Sequence, residues 1–185
     1  MVLVWPSMEH LHSYADALAR GWSPDNVRGE AAAREELARI EEDRERFVAA
    51  MVDREARGGP ITLPDATVVA RLPGYRLWMW DGAMCGVIGL RWQPGTGALP
   101  PYCLGHIGYS VVPWKRRLGY ATSALRQALP FARSEGLPYV DVTMDVDNIG
   151  SRRVVEACGG VLVEAFVKPA AFGARPALRF RIALD

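Results

Sequence analysis

Residues 104 to 122 read Leu-Gly-His-Ile-Gly-Tyr-Ser-Val-Val-Pro-Trp-Lys-Arg-Arg-Leu-Gly-Tyr-Ala-Thr. The apolar run Ile107 to Val112 reads as a buried strand, and Pro113 ends it because it offers no N–H to a ladder. Lys115, Arg116 and Arg117 follow. Gly119 and small residues then open a helical pattern, with Ala121, Leu125, Ala128 and Ala132 on one face. A strand, a basic glycine-containing turn and a helix start in that order describe an anion site. Free N–H groups and the helix dipole converge there, and the cations neutralise what binds.

Outward from this stretch, the chain alternates short strands and helices. Val2 to Trp5 is a strand candidate, and Ser7 is an N-cap candidate for a helix over Met8 to Arg20. Residues 30 to 57 read as one long amphipathic helix, with Leu37, Ile40, Phe47, Val48, Met51 and Val52 as its apolar stripe. Glu35–Arg39 and Glu42–Arg46 are expected as i,i+4 pairs on it. Gly58-Gly59-Pro60 breaks that helix, and the connection 58–74 has room for a short strand at Thr67 to Ala70. Tyr75–Trp80 and Met84–Trp92 are strands joined by Asp81-Gly82, a hairpin signal. After the basic turn, the expected order is a helix from about Tyr120 to Ser134, a strand at Tyr139–Asp145, a helix at 149–158 and strands at Val161–Val167 and Ala177–Leu184. Pro130 should kink or break the last turn of the first of these helices.

Composition bounds the function. The 185 residues suit one domain, 1–185, with a sizeable core, and half of them are hydrophobic. Lys+Arg is 22 against Asp+Glu 21, a balance that argues against nucleic acid or an anionic membrane as partner. Three cysteines without a Cys-x-x-Cys pair, and only three histidines, make a metal site unexpected. No run is long enough to span a membrane, and no secretory leader pattern opens the sequence, so a cytoplasmic location is expected.

Arg116-x-x-Gly119-x-Ala121 resembles the Arg/Gln-x-x-Gly-x-Gly/Ala signature of the GNAT superfamily of acyl-CoA-dependent N-acyltransferases. Asp-Asn-Ile-Gly-Ser-Arg-Arg, residues 147–153, resembles the Asn-x-x-Ser/Ala segment of the same family. The order of elements matches that topology along essentially the whole chain. The resemblance implies a mixed α/β fold, a mostly antiparallel sheet whose central parallel strands are splayed, flanked by helices. It implies acetyl-CoA as cofactor and an amine as the second substrate. It further implies that Val111 and Val112 pair with the pantetheine arm through their backbones. The N–H groups of Arg117, Leu118, Gly119, Tyr120, Ala121 and Thr122 would hold the pyrophosphate, with help from Arg116. Asn148 and Ser151 would contact pantetheine, although Asn148 is equally suited to capping a helix. A homodimer is compatible with the resemblance.

The chain departs from the family at Val155, where many members carry a tyrosine as general acid. Water, Tyr109 or Tyr120 are the remaining donors, or no acid is needed, because a thiol with pKa near ~8.5 already leaves readily. For the base, His106 and Asp145 are the candidates, and a hydrogen-bonded core histidine is an equal reading of His106. The expected activity is direct transfer of an acetyl group to a primary amine of a small molecule or peptide in a ternary complex. The alternative is a catalytically silent acyl-CoA-binding or regulatory module.

Overall fold

The computed structural model describes residues 1–63 and 65–184. Pro64, within the 58–74 connection, and Asp185 lie outside the described residues. The elements are β1 (Val2–Val4), α1 (Met8–Ala19), α2 (Glu30–Glu42), α3 (Arg44–Ala49), β2 (Val52–Asp53), β3 (Ile61–Thr62), β4 (Val68–Val69), β5 (Gly74–Trp80) and β6 (Met84–Arg91). They continue with β7 (Ile107–Val111), α4 (Tyr120–Ser134), β8 (Tyr139–Asp145), α5 (Ile149–Glu156), β9 (Val161–Val167) and β10 (Pro176–Ala183).

Two sheets form the frame. The first has the order β1-β5-β6-β7, with β2 also on β5; the second has the order β8-β10-β9. The central strands β7 and β8 are splayed so far that no ladder joins them. They meet through His106, whose N–H donates to the Asp141 carbonyl at 2.8 Å just ahead of β7. One core, with Tyr14, Trp22, Phe47 and Trp78, lies between the first sheet and α1–α3. The other, with Ile88, Leu125, Val140 and Phe180, lies under α4 and α5 and reaches both sheets. In β10, Leu178, Phe180 and Ile182 are buried, in the alternation expected for a strand with one face covered.

Two expectations are corrected and a third is extended. The helix over 30–57 is two helices. Asp43 is extended, and its carboxylate accepts the Arg46 N–H at 2.9 Å, capping α3. Val52–Asp53 then leaves the helix and pairs with β5. The expected ion pairs are not formed either: the break puts Glu42 and Arg46 on different helices, while within α2 Glu35 pairs with Arg28 and Arg39 lies over the Phe47 ring. Pro130 does not break α4, which runs on to Ser134, its last turn anchored by buried Ala128 and Ala132. The 58–74 connection carries the expected short strand as β4, paired with a further strand, β3, in a small hairpin. Among the described residues, no helix is long and apolar enough to cross a membrane.

Candidate active site

The register of β7 determines what the splayed cleft offers. Val87 opposes Ser110, Gly86 opposes Val111, and the Val112 N–H donates to the Cys85 carbonyl at 2.9 Å. Alternation along a strand therefore turns the N–H and C=O groups of Tyr109 and Val111 away from β6, toward the side where β8 lies. Two exposed side chains cover this open edge. Asn26 donates to the Tyr109 carbonyl at 3.2 Å, and Arg116 donates to the Val111 carbonyl at 3.3 Å. Val112 contributes nothing to the edge. Its N–H is given to Cys85, its carbonyl accepts from Lys115 N–H at 3.0 Å, and it is fully buried. Of the pair expected to offer backbone groups, Val111 is free to do so and Val112 is not; Tyr109 is the other residue whose groups face that way.

The strand ends at Pro113, and the basic turn leads into α4. Arg117 and Gly119 both lie in the left-handed region, at φ 65° and 76°. A Cβ on Gly119 would meet nothing within 4 Å, so the backbone angle, not crowding, favours glycine there. Gly119 is the N-cap of α4, and its carbonyl accepts the Ser123 N–H at 3.0 Å. The N–H groups of Arg117, Leu118, Gly119, Tyr120, Ala121 and Thr122 donate to no group among the described residues. Six amides without an acceptor among the described residues thus stand at the positive end of a 15-residue helix, an arrangement able to hold an anion. Arg116 and Arg117 are exposed beside it. Lys115 is not free: it pairs with Asp81, which also accepts the Tyr120 hydroxyl at 2.6 Å. These two hydrogen bonds hold the Asp81 carboxyl well below the usual carboxylate range. Tyr120 is thereby drawn to the hairpin end of β5 and β6.

Across the cleft, Asn148 caps α5, accepting the Ser151 N–H at 3.0 Å. The Ser151 hydroxyl lies 2.7 Å from the Tyr109 hydroxyl, so β7 and α5 are bridged by two polar side chains. Burial pushes the Tyr109 phenol up to about 12, so it stays protonated and able to donate at neutral pH. Val155, one helical turn beyond Ser151, is fully buried against the chain at Gly160. It belongs to the core and leaves no gap in the cleft.

The two candidate bases are placed unfavourably. His106 is fully buried, and its Nδ1 accepts the Asp141 N–H at 3.0 Å. That bond assigns the proton to Nε2, which has no partner among the described residues. Burial also pushes the imidazole below its ordinary pKa. It has no exposed surface and links β7 to β8 as a buried histidine. Asp145 ends β8 as expected, but it is held by Lys168 and, at 3.4 Å, by Arg175. Trp22, Trp78 and Trp92 are buried in the cores.

Two features were not read from the sequence. Asn26 covers the open edge from a loop with no motif of its own. Ser110 accepts the Trp22 indole N–H at 3.0 Å and donates to the Ser23 carbonyl, which ties the N-terminal loop to β7. Neither leaves a spacing signal, because the partners lie more than 80 residues apart.

Residues 6–161 match the family described as Acetyltransferase (GNAT) domain. No curated protein matches the sequence. Among solved structures, the chain is similar to the microcin C7 self-immunity acetyltransferase MccE in complex with acetyl-CoA and AMP. There the identity is 12%, the TM-score 0.58, and 98% of this chain and 91% of the other are covered. It is also similar to a GNAT-family acetyltransferase from Bacillus anthracis, at 16% identity and TM-score 0.60, covering 98% and 93%. A variant of the spermidine N-acetyltransferase SpeG from Vibrio cholerae matches at 13% identity and TM-score 0.59, covering 100% and 95%. At these identities the structures speak for the fold.

Proposed function

Because the chain belongs to the GNAT acetyltransferase family, we propose that it transfers the acetyl group of acetyl-CoA directly to a primary amine, with both substrates bound at once. The observation that carries this reading is the run of six free amides from Arg117 to Thr122 beside the open edge of β7. A pyrophosphate fits that run, with Arg116 and Arg117 as neutralising charges. The pantetheine amides fit the edge groups of Tyr109 and Val111, once Asn26 and Arg116 release the two carbonyls they cover. Asn148 and Ser151 flank the same path.

Bound there, acetyl-CoA supplies an activated acetyl group as a thioester. The reaction forms an N–C bond, breaks the C–S bond and releases a thiol, while the amine's proton leaves to water. Tyr109 is suited to donate a hydrogen bond to the charge that builds on oxygen or sulfur. With its pKa about 12, it stabilises that charge without surrendering its proton to a thiolate of pKa near ~8.5. Direct transfer is supported by the thiols: burial pushes Cys85 up to about 11 and raises Cys158 as well, so neither is an activated nucleophile. His106 has a structural role in this reading, and the proton path runs through water.

The silent-module alternative rested on Val155. Tyr109 brings a phenol to the same face of α5, so the valine is no reason for inactivity. A cytoplasmic location is part of the proposal, supported by three cysteines without a disulfide. A homodimer is supported by the edge strand β9, where Val161, Val163 and Val167 are exposed. Calorimetric titration with acetyl-CoA, followed by thiol release with amines, tests the activity. Binding with amine-dependent release is expected; binding without release from any amine would favour the silent module.

A further inference from the structure

A cleft of about 930 Å3 opens on the face of the first sheet that carries α2 and α3. Six arginines and four carboxylates line it. Three of the four carboxylates are committed inside the protein. Glu36 is buried, binding Arg76 at 2.7 Å and the Tyr14 hydroxyl. Asp43 caps α3, and Asp53 accepts the N–H groups of Arg57 and Gly58. Glu42 is left. Arg39, Arg46 and Arg91 have no ion pair among the described residues. The cleft therefore presents more uncommitted positive charge than negative.

The sheet surface at its edge points the same way: Gly89 lines the cleft, and Gly108 lies beside it on β7. Gly89 and Gly108 oppose each other across β6 and β7. Neither lies in the left-handed region. A Cβ on Gly89 would meet nothing nearer than the Tyr75 carbonyl at 3.6 Å, and one on Gly108 would meet only Arg91 Nη2 at 3.5 Å. The fold thus has no need of glycine at either position, and glycine inside a strand costs about 0.5–1 kcal/mol. Paired glycines here keep the sheet surface bare, as where another molecule approaches closely. The Arg91 guanidinium reaches over Gly108, next in the chain to Tyr109 at the splayed cleft.

We infer that the bare sheet surface at Gly89 and the adjoining Gly108 receives the acceptor and that Arg91 binds a carboxylate on it. The acceptor is then an amine that also carries a carboxylate, a free amino acid or an acidic peptide. This rests on the acetyl-transfer reading above. A polyamine would meet several guanidinium groups and one uncommitted carboxylate, Glu42.

The test measures thiol release from acetyl-CoA with the common amino acids, tetrapeptides containing Asp or Glu, the carboxamide counterpart of each, and spermidine. Accepted amines should carry a carboxylate, and each carboxamide should lose at least tenfold in kcat/KM. Preference for a free α-carboxylate over a side-chain carboxylate distinguishes amino acid from peptide. In Arg91→Ala, the KM of the carboxylate amine should rise at least tenfold, with the carboxamide's kcat/KM and the Kd of acetyl-CoA unchanged. Gly108→Val should raise the same KM while the melting temperature stays within a few degrees of wild type. Spermidine or carboxamides used equally well, no carboxylate amine used while acetyl-CoA binds, or an Arg91→Ala enzyme with unaltered preference would each overturn the inference. Failure to bind acetyl-CoA would instead remove the reading beneath it.

Discussion

Replacing Gly119 by glutamate separates binding from folding. Gly119 sits at φ 76°, where a residue with a Cβ is strained by about 1–2 kcal/mol. A Cβ meets nothing within 4 Å, so that strain is the main structural cost. In a domain of this size, 1 kcal/mol moves the melting temperature by roughly 2–4 °C, so Gly119→Glu should melt about 2–8 °C lower and remain folded. The effect on binding is larger. A carboxylate roughly 5 Å from one phosphate charge is repelled by about 3 kcal/mol at an effective dielectric of about 20. That corresponds to more than ~100-fold in Kd. Gly119→Ala carries the strain without the charge and should lose less than about tenfold. Calorimetric titration of both variants with acetyl-CoA, beside their melting curves, gives the comparison. A Gly119→Glu protein that melts lower yet binds acetyl-CoA within about threefold of wild type would refute the phosphate assignment.

Other perturbations reach other parts of the account. Tyr109→Phe removes the phenol that faces Ser151; kcat should fall at least ~10-fold with the Kd of acetyl-CoA unchanged, and an unaltered kcat would remove Tyr109 from the chemistry. Asn26→Ala uncovers the Tyr109 carbonyl, whose present hydrogen bond is worth about 0.5–1.5 kcal/mol. Titration should find acetyl-CoA bound at least as tightly as by wild type, and weaker binding would contradict the open-edge assignment. Burial lowers the folded pKa of His106 below its unfolded value of about 6.5. The unfolded chain therefore takes up the proton first, and the stability from neutral His106 is present above that pH and lost as pH falls below it. Melting temperatures between pH 8 and 5 should drop for wild type and drop less for His106→Gln, while the acidic limb of the rate profile stays put. A shifted limb would return His106 to the role of base.

How much was legible varied with the physics behind each signal. Pro113, Gly119 and the small residues of α4 act through local backbone rules, and the strand, turn and helix start fall where those rules put them. The Asp81-Gly82 hairpin and the alternation of β10 are equally local. The long helix over 30–57 was misread because the apolar stripe continues through Asp43, which prefers to cap a new helix rather than extend the old one. Pro130 was overrated because buried Ala128 and Ala132 hold the helix on both sides of it. Of the proposed site, Arg116 to Thr122, Asn148 and Ser151 carry motifs in the sequence. The swap of Val112 for Tyr109 was not, since it depends on which way β7 faces β6. For His106 the sequence left base and core histidine open, and packing places it fully buried. The Gly89–Gly108 pair becomes visible only when the strands are in register.

The central claim is that the amides from Arg117 to Thr122 and the open edge of β7 hold acetyl-CoA for direct transfer to an amine. Titrating the wild-type protein with acetyl-CoA and then following thiol release across the amine panel tests it most directly. Saturable binding at a single site, with release that depends on an added amine, is the predicted result. No measurable binding of acetyl-CoA by the folded protein would contradict it.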